Sequence, residues 1–180
     1  LQITWNYFLV DAIIAISVAA GVGGALATGR ATGTSGVDEI LRVVFAAGLV
    51  DDIRSLPPLA KLGVQLVAAA IALASGLSVE IVANDVLALA IGLLWLVGMT
   101  NAFNLLDNMD GLAATLAAIA AGYFAIDAAT VHENDLVLVL ALSLAFACLG
   151  FLPFNVRPGR PAAIFMGDAG SQVLGFVLAC

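Results

Sequence analysis

The chain has 180 residues, of which 63% are hydrophobic and only 11% charged, and its formal net charge is −7. A water-soluble domain is nearer half apolar and a quarter charged, so an ordinary soluble globule is excluded and a bilayer is the natural solvent. No basic patch for nucleic acid is present. The two cysteines, Cys148 and Cys180, lie in apolar runs as small buried hydrophobes and imply no disulfide framework.

In lipid every backbone polar group must be satisfied internally, which leaves helices or a closed barrel. The apolar runs are continuous and lack period-two alternation. They predict an all-α fold, a polytopic transmembrane helix bundle of about six to seven helices forming a single integral-membrane domain over residues 1–180. In chain order, the first helix is expected at Phe8–Thr28, followed by the loop GRATGTSG. The second, Val37–Val50, is short for a span and carries Arg42; the polar island VDDIRS (Val50–Ser55) follows it. The third is expected at Pro58–Leu77 and the fourth at Val86–Thr100, leading into NAFNLLDNMDG (Asn101–Gly111). The fifth, Gly111–Ala129, and the sixth, Leu136–Leu152, precede PFNVRPGRPAAIFMGDAGS (Pro153–Ser171), a loop that Pro153, Pro158 and Pro161 should keep stiff and non-helical. A seventh helix starts near Ser171. The chain begins at Leu1 and ends inside an apolar run, so it reads as an internal piece of a longer protein.

Each island is separated from the next by two crossings, so parity puts all three on one side of the membrane. Arg54, Lys61, Arg157 and Arg160 accompany them. Arg30 and Arg42 fall on the other side with Asp38, Glu39, Glu80, Asp85, Glu133 and Asp135. By the positive-inside rule the islands face the cytoplasm.

That face gathers Asp51, Asp52, Asp107, Asp110 and Asp168. Clustered carboxylates repel, and a hard divalent cation shared with substrate phosphates is the simplest reason to keep them together. Structural duties compete with this reading. Asp51 and Asp52 end a helix, where their charge opposes the dipole, so they do not cap that helix but could cap the next segment. Asp107 and Asp110, three apart, would share a helix face or cap the fifth helix. Asp168, flanked by Gly167 and Gly170 in FMGDAGS, could be a plain N-cap or part of a phosphate site at a helix start. Arg157 and Arg160 are candidate phosphate partners or headgroup contacts, and Phe165 could stack on a base or anchor its loop. Asp11 and Asp127 read as interfacial and His132 as plain surface. Trp5, Tyr7, Trp95 and Tyr123 read as membrane-interface or packing aromatics.

Taken together, GLVDDIRSLPPLAKLGVQL, NAFNLLDNMDGLAA and FLPFNVRPGRPAAIFMGDAGS resemble the polyprenyl-phosphate N-acetylhexosamine-1-phosphate transferases (glycosyltransferase family 4), which include the WecA-like enzymes and the phospho-MurNAc-pentapeptide translocase. The likeness runs from about Leu49 to the end of the chain, with the islands in the family's order and topology. It implies transfer of N-acetylhexosamine-1-phosphate, GlcNAc-1-phosphate in the WecA-like branch, from a UDP-sugar to a polyprenyl phosphate with release of UMP. It also implies Mg²⁺ or Mn²⁺ as cofactor, and a multi-pass protein of the bacterial inner membrane whose site faces the cytoplasm. The partners implied are the UDP-sugar, polyprenyl phosphate and membrane lipids, with no nucleic acid; a homodimer is left open. By motif, Asp168 resembles the metal ligand and Phe165 the uracil-stacking ring. Asn104, Asp107 and Asp110 resemble substrate-site residues, Asn155 the asparagine upstream of FMGD, and Asp51 and Asp52 the essential pair, with Asp52 as a base toward the lipid phosphate. Relatives often carry glycine where Asn108 stands, which predicts an altered loop backbone. The spacing from Asn155 to Asp168 exceeds the translocase pattern and favours the WecA-like branch. An upstream cytoplasmic loop and a downstream His-containing loop are not in this stretch, and the latter bears on sugar choice.

Alternatives are the pentapeptide transfer itself, a CDP-alcohol phosphotransferase and a cation or proton transporter. The CDP-alcohol half-motif is met by Asp107, Asp110, Gly111 and Ala114 but broken at Thr115. A transporter would place its acids at mid-helix along a path, not at one surface.

Overall fold

The computed structural model describes residues 35–77 and 82–180; the expected first helix, with Asp11, Trp5 and Tyr7, lies outside them. The described residues hold six helices and no strand, as an all-α reading requires: α1 (Ser35–Arg54), α2 (Pro58–Ala74), α3 (Asp85–Leu106), α4 (Leu112–Thr130), α5 (Asp135–Asn155) and α6 (Gly167–Ala179). Among them α3, α4 and α5 are long and apolar enough to cross a membrane. The 22 residues of α3 reach about 33 Å at the helical rise, enough for a hydrocarbon layer of about 30 Å. Leu94, Tyr123 and Phe146 are each more than 60% exposed on these helices, a surface suited to lipid.

Several boundaries differ from the hydropathy reading. α1 runs through Arg54, so Asp51 and Asp52 are helical rather than in a loop, and α3 runs through Leu106, so Asn101 and Asn104 are helical too. A hydropathy edge stops at the first polar side chain, but backbone hydrogen bonding continues while a partner awaits that side chain. Pro153 lies inside α5, against the expected non-helical loop. A proline one turn from a helix end forfeits a single bond, and the Val156 N–H closes the last turn on the Leu152 carbonyl at 2.7 Å. α6 starts at Gly167, four residues before the expected Ser171.

The described helices fall into two compact units: Gly36–Leu105 with Asp168–Cys180, and Leu106–Gly167. In the first, α2 buries one stripe, Gln65, Ala68, Ala69 and Ala72, at the spacing of a single helix face. α6 is buried almost all round, from Ala169 to Phe176. Small residues set the approach of its neighbours. A methyl added at Gly48 of α1 would meet the Ala169 backbone at 2.5 Å, and one added at Gly175 would meet the Met99 carbonyl oxygen of α3 at 2.6 Å. The Trp95 indole N–H closes the far end of α6 by donating to the Ala179 carbonyl at 3.1 Å. In the second unit α4 packs on α5. Asn134 caps α5 by accepting from the N–H groups of Leu136 and Val137, both at 3.1 Å. His132 pairs with Asp127 at 2.8 Å, and both are exposed.

Candidate active site

The first unit brings Asp51, Asp52, Asn104 and Asp168 together. The close contact at Gly48 leaves room for no side chain between α1 and α6, and Asp51 and Asp52 follow one turn later. α1 then ends on Ser55, whose φ of 40° is in the left-handed region, with its N–H on the Asp51 carbonyl at 2.8 Å. The next N–H, of Leu56, donates to Asp51 Oδ1 at 2.6 Å. Pro57 and Pro58 start α2 at the positions where a missing N–H costs nothing. This reversal carries Lys61, in the first turn of α2, back onto α1.

Asp51 is 4% exposed, and its second oxygen is ion-paired with the Lys61 ammonium. Lys61 also donates to Asp168 Oδ2 at 2.9 Å, so one cation joins two carboxylates from two helices. Asn104, near the end of α3, donates through Nδ2 to Asp168 Oδ1 and to Ser171 Oγ, the latter at 3.0 Å. Asp52 does not compete for the cation. Its oxygens accept the first N–H groups of α6, from Asp168 at 2.7 Å and Ala169 at 3.0 Å. The α6 cap thus comes from α1 rather than from Asp168, as the plain N-cap reading had it. Partial burial holds the Asp52 carboxyl above the ordinary carboxylate value, with the Asp168 charge adding to the effect and the two N–H bonds opposing it.

Among the described residues no three His, Cys, Asp or Glu side chains converge as a metal cage. Mg²⁺ does not require one, because it commonly binds through one or two carboxylates, water and substrate phosphate. Asp168 meets that demand. Its side chain is 27% exposed and both its oxygens are oriented, Oδ1 by Asn104 and Oδ2 by Lys61. The donor set fits an ion shared with a phosphate.

The second unit carries the other candidates. Residues 107–111 form turns, so Asp107 and Asp110 do not share a helix face, and Gly111, not an aspartate, is the N-cap residue of α4, with no side-chain cap bond. Gly111 has a φ of 76°, and its N–H donates to Asn155 Oδ1. Asn155, 3% exposed, also donates to the Ile164 carbonyl at 2.9 Å. It therefore ties the Asp107–Asp110 turn to the segment bearing Phe165, which is 39% exposed. Arg157 and Arg160 flank a turn at Gly159, where φ is 71°. Asn108 has no positive φ; Ser55 is the one non-glycine residue among those described that does. The backbone at Asn108 thus makes no demand for the glycine that the family resemblance led one to expect there.

A family model described as glycosyl transferase family 4 matches residues 39–180. The chain belongs to glycosyl transferase family 4. It is 36% identical over 176 residues to a Bacillus subtilis protein named "Probable undecaprenyl-phosphate N-acetylglucosaminyl 1-phosphate transferase", covering 91% of this chain and 47% of that one. A decaprenyl-phosphate N-acetylglucosaminephosphotransferase of Mycolicibacterium smegmatis is 34% identical over 154 residues, 76% of this chain and 37% of the relative. A phospho-N-acetylmuramoyl-pentapeptide-transferase of Enterococcus faecalis is 47% identical over 85 residues, 47% of this chain and 25% of the relative. The chain thus spans about half the length, or less, of these curated relatives. Family membership and the three apolar helices make it a membrane-embedded member of a family of polyprenyl-phosphate hexosamine-1-phosphate transferases.

For this glycosyl transferase family 4 chain, sequence reasoning missed Lys61 as a site residue and counted it only as a topological charge. A signal was there: a cation in the first turn of a helix opposes the dipole and calls for a carboxylate partner. Ser171 was missed as well, along with the amides Gln65, Asn101 and Gln172, which nothing in a single sequence marks as neighbours.

Proposed function

We propose that the protein transfers N-acetylhexosamine-1-phosphate, GlcNAc-1-phosphate on the WecA-like reading, from a UDP-sugar to a polyprenyl phosphate. The reaction takes place at the cytoplasmic face of the bacterial inner membrane and starts envelope polysaccharide synthesis. The observation that carries this reading is Asp168, a carboxylate fixed at the start of α6 by Asn104 and Lys61 while Asp52 holds the backbone beneath it. A lipid phosphate oxygen attacks the sugar-bearing phosphorus, the bond to the UMP oxygen breaks, and UMP leaves. Such transfer asks the protein for positioning and charge compensation more than for covalent chemistry.

Asp168 would hold Mg²⁺ or Mn²⁺, which when bound neutralises charge on the diphosphate. Lys61 and Asn104 orient Asp168, and Lys61 is within reach of a phosphate oxygen once one enters. Asp52 serves as the α6 cap and not as a base. Its two oxygens are committed to N–H donors, and a phosphate monoester with a second pKa of about 6 is already largely dianionic at neutral pH. Asp51 stores the lysine. Asp107 and Asp110 are assigned to the nucleoside side, Phe165 to the uracil face, and Arg157 and Arg160 to phosphate oxygens. Asn155 acts by holding the turn that carries the two aspartates. A transporter path is disfavoured because Asp51 and Asp52 lie at a helix end and Asp168 at a helix start.

The test is incorporation of label from UDP-[³H]GlcNAc and other UDP-N-acetylhexosamines into polyprenyl phosphate by the full-length protein in vesicles. Lipid-linked sugar phosphate and stoichiometric UMP are expected. No lipid product from any of them, including the UDP-MurNAc-pentapeptide, would overturn the reading.

A further inference from the structure

Lys61, Asn104 and Asp168 come from three helices, and each has an amide side chain one helical turn deeper on its own helix. Gln65 follows Lys61 by four residues on α2, Gln172 follows Asp168 by four on α6, and Asn101 precedes Asn104 by three on α3. The directions agree, because α2 and α6 begin at the site and α3 ends there. Gln65 bonds to the other two amides. Asn101 Nδ2 donates to Gln65 Oε1 at 2.6 Å, and Gln65 Nε2 donates to Gln172 Oε1 at 3.3 Å and Asn101 Oδ1 at 3.4 Å. Asn101 also donates to the Val97 carbonyl of its own helix at 2.9 Å. Gln65 and Gln172 are 4% and 3% exposed.

Buried amides are a poor source of stability, since matched apolar groups of the same size often serve as well. What they add is direction. On α2 the rest of the buried stripe is alanine, Ala68, Ala69 and Ala72, and α6 meets α3 at Gly175; such small residues set how closely helices approach but resist sliding weakly, while the larger buried side chains of α3 and α6, Leu96, Phe103, Leu174 and Phe176, are apolar and make no directional bond. A slip of one residue moves a helix by about 1.5 Å, and a misplacement of about 1 Å can cost a hundredfold in rate.

We propose that Gln65, Asn101 and Gln172 are positioning residues: an amide layer that locks the axial register of α2, α3 and α6 and so holds Lys61, Asn104 and Asp168 in working geometry for a diphosphate. The inference rests on the transfer reading above for its kinetic consequence, but not for its geometric one.

The experiment uses the full-length protein with two variants, Gln172→Met and the triple Gln65→Met/Asn101→Leu/Gln172→Met. Gln172→Met leaves Gln65 short of a partner, and both Tm and kcat should fall, kcat by about a hundredfold with KM for the UDP-sugar changed by less than about threefold. The triple variant removes every unpaired amide and should regain the wild-type Tm while kcat stays low. Nitroxides at Leu59→Cys and Leu105→Cys, in a cysteine-free background, should give one narrow distance distribution in the parent and a broadened one in the triple variant. Recovery of kcat along with Tm in the triple variant would make the layer merely structural and overturn the proposal, as would an unbroadened distribution. If the parent protein transfers no sugar phosphate, the transfer reading falls, and the distance distributions still decide the register lock by the same two outcomes.

Discussion

Lys61 is the residue on which the charge balance of the first unit turns. It stands between Asp51, which is nearly inaccessible, and Asp168, which is partly exposed. Lys61→Met keeps the aliphatic stem but strands a buried carboxylate. We expect a loss of about 3 kcal/mol, the low end for breaking a buried pair because Lys61 itself is a quarter exposed, read as a fall in apparent Tm of the purified protein. Asp168→Asn retains the size and hydrogen-bonding reach of the side chain but halves the negative charge facing Lys61. Transfer should drop at least about a hundredfold while the protein elutes and melts near the parent; near-normal turnover would remove Asp168 from the metal role. Both residues were visible in the sequence, but only Asp168 announced itself. A carboxylate between glycines at a helix start has few explanations, whereas one lysine among four cations that the topology reading groups on one face has an adequate topological one.

The elements show where sequence reading ran out and why. Hydropathy found the apolar body of every described helix but cut α1 and α3 short at the polar residues that follow their apolar runs, Asp51 and Asn101, since it weighs solvent preference and not hydrogen-bond partners. Both extensions exist because another helix supplies what those side chains need. The start of α6 is the clearest case. Its first N–H groups are capped by Asp52, more than a hundred residues earlier in the chain, so no local capping pattern could have shown it. Asp52→Ala should therefore destabilise by about 1–2 kcal/mol through α6, while Asp52→Asn, which keeps an acceptor oxygen, should restore about half of that. Hydrogen exchange at the Asp168 and Ala169 amides would localise the effect. Uniform acceleration across all helices in Asp52→Ala, with no local excess there, would count against the cap.

At the scale of the whole molecule, many outward side chains of the described helices, Leu94, Tyr123 and Phe146 among them, are large and apolar, so hydrophobicity alone says little about which face meets another helix. The orientation proposed above rests instead on the expected crossing parity and the bias of Arg54, Lys61, Arg157 and Arg160. In sealed cells, a thiol placed at Ser55 or Gly159 should react with an impermeant maleimide only after the membrane is opened, and one at Glu133 should react before. The reverse pattern would invert the proposed topology. Trp95 offers a further use of the architecture. Its indole is bonded to the last carbonyl of α6, so the chain carries an optical reporter at the end of α6 opposite the candidate site. Gly175→Ala would push a methyl against the Met99 carbonyl and lift α6 from α3. The emission component lost in Trp95→Phe should then shift in wavelength, making the seating of one helix measurable by light without any substrate present.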